Sequence, residues 1–273
     1  MTASTISSRQ PVLFLPHGGG PCFFMDWTWG PADTWHATQQ FLEGIATSLP
    51  ATPRAILAVT AHWEEHAFTA GANPRPELIY DYSGFPPHTY QLTWPAPGDP
   101  SLARRVAQLL NDAGLPSALD AHRGFDHGVF VPLKVAFPQA QIPVVPLSLA
   151  ASLDPALHLA AGRALAPLRS EGVLIVASGM SFHNLRAYLQ PHTLDRARAF
   201  DTWLSRTVAL PAPERDTELA NWRSAPFAGF AHPSEEHLVP LFVAAGAGGK
   251  APGERIFTDE PMGAAISAFR FEG

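Results

Sequence analysis

The segment Val12-Leu-Phe-Leu-Pro-His17-Gly-Gly-Gly20-Pro21 admits two chemistries. As an oxyanion hole, an HGGG turn presents backbone N–H groups to a tetrahedral intermediate, and its histidine is incidental. As a metal site, the His17 imidazole is the active group, and the glycines let the backbone turn beside it. The hydrolase reading also needs a nucleophile elbow, G-x-S-x-G, after a strand. The nearest match is Gly179-Met-Ser181-Phe-His183, where an imidazole stands in place of the last glycine. Ser181, Asp201 and His237 keep the chain order of a Ser…Asp…His triad, so a serine hydrolase stays open as an alternative.

The metal reading draws on more of the chain. His17 follows VLFLP, His62 follows AILAVTA, and His183 lies in VLIVASGMSFHNL. Each comes at or just past a strand-like apolar run. In open α/β sheets the carboxyl ends of the strands form the ligand crevice, so these three imidazoles are expected to converge there. His127, in RGFDHGVF, reads as part of a loop; His237, in HPSEEHLVPL, falls in the first turn of the last helix. Imidazoles gathered at one mouth without cysteines suit a divalent first-row metal such as Fe, Zn or Cu. No HExxH is present, so the zinc-protease signature is absent. Asp126 and Asn184 adjoin His127 and His183 and are placed to set a tautomer. Arg123 and Arg186 offer guanidinium forks for a substrate carboxylate, with structural ion pairing as the default. Asp126, Asn184, Arg186 and His88 are the candidate substrate contacts, and His88 and His232 stand apart from the remaining histidines because of their neighbours. The aromatic, proline-rich stretch from Phe85 to Gly98 reads equally as a lid over an aromatic substrate and as a rigid packed loop.

Positioning these groups requires a scaffold, and the sequence supplies one. Val12–Leu15, Ala55–Thr60, Val144–Leu149 and Val173–Ala177 are short apolar runs bounded by turn formers, as buried parallel strands are. Helical spacing appears in Thr34–Ser48, Pro100–Ala113, Pro155–Leu168, Leu194–Leu210 and Glu235–Ala245, the last with Ser234 as N-cap and Gly246 beyond its end. The alternation predicts an α/β fold: one catalytic domain over residues 1–273, a mainly parallel sheet flanked by helices, and the active site at the C-terminal ends of the strands. Residues 1–10 read as a flexible tail. Long loops over Gly71–Gly98 and Asn184–Leu194 are expected to carry function.

Composition removes other classes. A net charge of −6 without a block of like charges argues against nucleic acid as a partner. No apolar run approaches the roughly 18 residues of a membrane span. A single cysteine, Cys22, fits packing in a reducing, cytoplasmic setting.

Seven segments taken in order, LPHGGGP, AVTAHW, TWPAPGDPSLA, RGFDHGVFVPL, IPVVPLSL, ASGMSFHNLR and HPSEEHLVPLFVAAGA, resemble the class III extradiol ring-cleaving dioxygenases, in particular the DOPA 4,5-dioxygenase-type branch. The resemblance runs from Pro11 to Ala247. It implies that His17, His62 and His237 bind the metal, that His183 is an acid/base or a further ligand, and that His127 is a second catalytic or substrate-binding histidine. It further implies Fe(II) for activity, with Zn(II) as another ion the site can bind, and a small catechol-type substrate opened with O2 to a muconate semialdehyde-type product. A homodimer is compatible with it. The alternative within the same fold is a metal-binding protein without oxygenase activity, as in Memo-type relatives. Where many bacterial members read HGSP, this chain reads HGGGP followed by the aromatic segment Cys22–Trp29, so substrate identity is not carried over from any one relative.

Overall fold

The four apolar runs found in the sequence pair with one another at the centre of one sheet. The computed structural model describes residues 9–273. Its strands are β1 (Val12–Pro16), β2 (Ala55–Glu65), β3 (Phe68–Gly71), β4 (Ser117–Asp120), β5 (Val144–Ala150), β6 (Val173–Gly179), β7 (Gly253–Asp259) and β8 (Ile266–Phe271). They form one eight-stranded sheet in the order β4-β3-β5-β2-β6-β1-β8-β7. The central strands β5, β2, β6 and β1 pair in parallel. Antiparallel pairs flank them, β3 on β5 at one side and β8 on β1, then β7 on β8, at the other. The central four are buried along almost their whole length, which is why they read as uninterrupted Val, Ile, Leu and Ala.

Six helices of eight residues or more flank this sheet among the described residues: α1 (His36–Glu43), α2 (Pro100–Asp112), α3 (His127–Ala136), α4 (Pro155–Leu165), α5 (Thr193–Val208) and α6 (Val239–Gly248). α6 is buried throughout and packs against α4, β6 and β1. α2 starts where Asp99 accepts hydrogen bonds from the backbone N–H groups of Ser101 and Leu102, with Pro100 in its first turn.

Three boundaries differ from the sequence reading. The last helix begins at Val239 and has no side-chain cap, rather than at Glu235 with Ser234 as its cap. A start at Glu235 would place Pro240 inside the helix, where it lacks an N–H and its ring meets the carbonyl four residues back. His237 therefore lies in the turn before α6. His127, read as a loop residue, is the first residue of α3, which Asp126 caps by accepting from the Val129 N–H. The expected tail at residues 1–10 lies mostly outside the described residues, but Gln10 is buried, and its side-chain amide donates to the Ala51 carbonyl.

Candidate metal centre

The parallel sheet sets the positions of the histidines. His17 leaves β1 beside the end of β6, and its N–H donates to the Gly179 carbonyl at 3.3 Å. Gly18 follows at φ +83°, where an added Cβ would stand 2.5 Å from Cys22 Sγ; this glycine lets the chain turn away beneath the imidazole. Cys22 is the buried packing residue expected, and burial raises its thiol pKa.

His62 lies within β2 rather than after it, because the strand runs on to Glu65. The register against β5 shifts between Val59 and Glu64. Such an irregularity re-aims side chains and is common beside active sites. α3 packs against β2 so closely that a Cβ on Gly128 would lie 2.7 Å from His62 Cδ2 and 2.8 Å from Thr60 Oγ1. The glycine of the DHG segment is thus a seat for His62. His237 arrives from the turn before α6, and its backbone carbonyl accepts from the Met180 N–H at 3.0 Å.

The rings of His17, His62 and His237 lie 4.8–5.1 Å apart, centroid to centroid, tilted or edge-on to one another rather than stacked. His127 stands 3.9 Å from His62, and His183 stacks on His237 at 3.4 Å. All five predicted histidines line one cavity of about 580 Å³. Trp27, Trp29, Trp35, Tyr82, Phe85 and Tyr188 form much of the rest of its wall.

Hydrogen bonds fix which ring nitrogens carry protons. His17 Nδ1 donates to the Gly18 carbonyl at 2.9 Å, and His237 Nδ1 donates to Glu236 Oε1 at 2.8 Å. Each leaves Nε2 with its lone pair. The His237 Nε2 is buried with no protein partner, a state that costs on the order of 1–3 kcal/mol unless something binds there. His17 Nε2 and His62 Nε2 are 3.3 Å apart. Two nitrogens each about 2.1 Å from one ion, at angles between right-angled and tetrahedral, would be roughly 3.0–3.4 Å apart. The donor set therefore fits a divalent metal. Ligand atoms of His17, His62 and His127 also lie within 4.8 Å of one another, as do those of His183, Glu236 and His237. The choice of third ligand thus rests on the nitrogen of His237 that is both fully buried and unpartnered; no ring nitrogen of His127 is in that state.

Electrostatics point the same way. Burial, followed by the neighbouring His62 and His237 rings, holds His17 well below the ordinary imidazole pKa. His62 is lowered by burial and by His127 and His237. His237 is lowered to about 4 by burial, which outweighs the hydrogen bond to Glu236. Three neutral imidazoles are what metal ligation needs.

Two carboxylates not picked out by the sequence reading complete the centre. Asp81 Oδ1 accepts from both the backbone N–H and Nδ1 of His127, at 2.9 and 2.8 Å, while its Oδ2 lies 3.7 Å from His62 Nδ1. Burial pushes the Asp81 carboxyl up, but the hydrogen bonds from His127 hold it below its usual value. Glu236 meets His183 at 3.4 Å as well as His237, and these two contacts hold it far below the carboxylate range.

The four candidate substrate contacts fall outside the cavity wall. Asp126 is spent on the α3 cap, Thr60 Oγ1 at 2.7 Å and Arg123 at 3.0 Å. Asn184 donates to the Phe230 carbonyl and accepts from the Arg186 N–H. Arg186 is exposed, and His88 is an exposed residue bonded to the Phe24 carbonyl. The triad geometry is absent too: Ser181 Oγ accepts from the Ser267 N–H, Asp201 pairs with Ser267 and Arg255, and His237 Nδ1 belongs to Glu236. His232, singled out for its neighbours, is buried behind the site and bonds the Ser181 carbonyl.

The model of the catalytic LigB subunit of aromatic ring-opening dioxygenases matches residues 11–270. A dioxygenase named tasH from Hapsidospora irregularis is 38% identical over 99% of this chain and 88% of that protein. The 4,5-DOPA dioxygenase extradiol of Portulaca grandiflora is 41% identical over 89% of this chain and 88% of its own length. In structure, an uncharacterized protein of Escherichia coli K12 superposes with a TM-score of 0.77 at 31% identity, covering 97% of this chain and 100% of that one.

Proposed function

This chain belongs to the aromatic ring-opening extradiol dioxygenases, in the DOPA 4,5-dioxygenase branch, and from that premise we propose that it opens a catechol-type ring at a metal held by His17, His62 and His237. The observation that carries the ligand choice is the buried, partnerless Nε2 of His237 beside the 3.3 Å pair of Nε2 atoms of His17 and His62. The donor set suits Fe(II), the ion required for oxygen chemistry, and accepts Zn(II) as well. Bound there, the metal would hold catechol oxygens and O2 together and ease loss of a hydroxyl proton.

The remaining residues handle protons. His183, stacked on His237 and facing Glu236, accepts the first hydroxyl proton of the catechol. His127 is oriented by Asp81 through Nδ1, an arrangement of base and orienting carboxylate suited to returning a proton as the ring opens. The aromatic wall flanks both. The product is an open-chain semialdehyde of the muconate type.

The reading is tested by loading the protein with Fe(II) without oxygen, then admitting O2 with a panel of catechols. Oxygen uptake with a yellow ring-fission product is expected. Stoichiometric metal with no oxygen uptake across the panel would overturn the catalytic reading in favour of a metal-binding role alone.

A further inference from the structure

The cavity above the histidines is much larger than a catechol ring requires. A cavity of about 150 Å³ suffices to hold benzene, whereas this one measures about 580 Å³. More than half of it is left for whatever the ring carries, and its wall says what that is. Trp29, Leu185 and Leu189 stand at it with 49%, 72% and 60% of their surface exposed, an apolar rim of the kind that marks a binding surface. Trp29 packs against Phe85 at 5.3 Å. The two phenols in the wall turn their O–H groups into the protein, Tyr82 to the Thr89 carbonyl at 2.6 Å and Tyr188 to the Phe182 carbonyl at 3.2 Å.

No arginine or lysine is among the described residues that line the cavity. Arg123 is committed to Asp126 and lies over the Trp63 ring, and Arg186 is outside. With the metal taken up by the ring oxygens, a carboxylate substituent further out would find no arginine or lysine to pair with, and the carboxylates of Asp81 and Glu236 lie just behind the histidines. An uncharged apolar group would instead cover the exposed rim.

We propose that the preferred substrate is a catechol bearing an uncharged, apolar substituent at least about as large as the ring, seated among Trp29, Phe85, Leu185 and Leu189. This rests on the ring-opening reading above and sets its substrate class.

The test measures binding separately from turnover. With Zn(II)-loaded protein under anaerobic conditions, Kd is measured by calorimetry for 4-isopropylcatechol, 4-phenylcatechol, 3,4-dihydroxybenzoate and DOPA. Isopropyl and carboxylate groups are similar in size, so the first and third compounds differ chiefly in the charge of the substituent, and the more acidic hydroxyls of the carboxylated compound would favour it at the metal, against the expected order. 4-Isopropylcatechol is expected to bind at least about tenfold more tightly than 3,4-dihydroxybenzoate, and 4-phenylcatechol more tightly still. In Leu185→Ser, a substitution at a largely exposed side chain, and in Trp29→Ala, the advantage of 4-phenylcatechol over DOPA should shrink about threefold or more. Equal or tighter binding of the carboxylated compounds overturns the proposal, as does an advantage unchanged in both variants. If the Fe(II) enzyme opens carboxylated catechols best, ring opening stands and this substrate class falls. If no catechol binds or is opened, both fall.

Discussion

An imidazole is set up as a ligand or as a base by whatever fixes which nitrogen carries its proton, and in this site one carbonyl and two carboxylates do so for three of the five histidines. The Gly18 carbonyl serves His17, Glu236 serves His237, and Asp81 serves His127. Replacing His17, His62 or His237 by alanine should drop metal content to background, measured by elemental analysis of folded protein. His127→Ala should keep its metal and lower kcat by about a hundredfold or more, the usual scale for a lost acid/base. Normal metal in His237→Ala together with loss in His127→Ala would reverse the ligand assignment. Asp81→Asn keeps the shape but removes the charge that steadies a protonated His127. It should cost roughly tenfold to a hundredfold, in kcat rather than KM, with metal retained. An unchanged kcat in Asp81→Asn would leave that carboxylate without a role in the reaction. The five histidines were legible because each follows an apolar run or sits in a distinctive segment. Asp81 was not, since it lies 46 residues from His127 in a stretch without periodicity. Glu236 was visible beside His237, but that it bridges two imidazoles follows only from the fold.

Elements were legible where burial coincided with an unbroken run of aliphatic residues; β3 (FTAG) and β8 (ISAFRF) are as buried but carry polar residues or glycine within such runs. β1, β2, β5 and β6 announce themselves as apolar runs because helices cover the central sheet. β3 and β4 have four residues each, and β7 sets the exposed pair Glu254 and Arg255 before the half-buried pair Ile256 and Phe257, so none of them produces such a run. The start of α3 does carry a signal in the sequence, since Asp126 immediately precedes an apolar helix and caps it. His62 reads in the sequence as following its strand, whereas β2 runs on to Glu65, because the register break that aims it leaves no mark in composition. That break and α3 act together through Gly128, so Gly128→Ala tests the contact between two elements. The added methyl would push on His62 Cδ2 and Thr60 Oγ1, and overpacking of this kind costs about 1–3 kcal/mol. A lower Tm with reduced metal affinity is expected. A Tm loss with metal affinity intact would mean that His62 is held by its strand alone.

On the scale of the whole molecule, stability at acid pH depends on histidines buried in the neutral form, and His158 isolates the effect away from the cavity. It lies in α4, fully buried, with Nδ1 donating to the Asp154 carbonyl at 2.7 Å and Nε2 accepting from the Ala150 N–H at 3.1 Å, at the end of β5. Both nitrogens are committed, so a second proton would set two N–H groups against each other. Burial lowers its pKa to about 4, partly offset by the Asp154 carbonyl. The unfolded chain, with an imidazole near 6.5, binds that proton first as pH falls. The contribution of this group to stability is therefore complete above about pH 6.5 and declines to its limit as pH drops to about 4, for a total on the order of 3 kcal/mol. The metal-site histidines titrate in the same direction, so wild-type unfolding alone does not separate them. His158→Gln does, since glutamine can accept from Ala150 without titrating. The variant should be less stable than wild type in urea at pH 7, and the gap should narrow by about 2–3 kcal/mol at pH 4.5. A gap that stays constant across that interval would show that His158 takes up its proton equally in the folded and unfolded chains, and that the acid sensitivity of the fold lies in other groups, the metal-site histidines and the carboxylates of Asp81 and Glu236 among them.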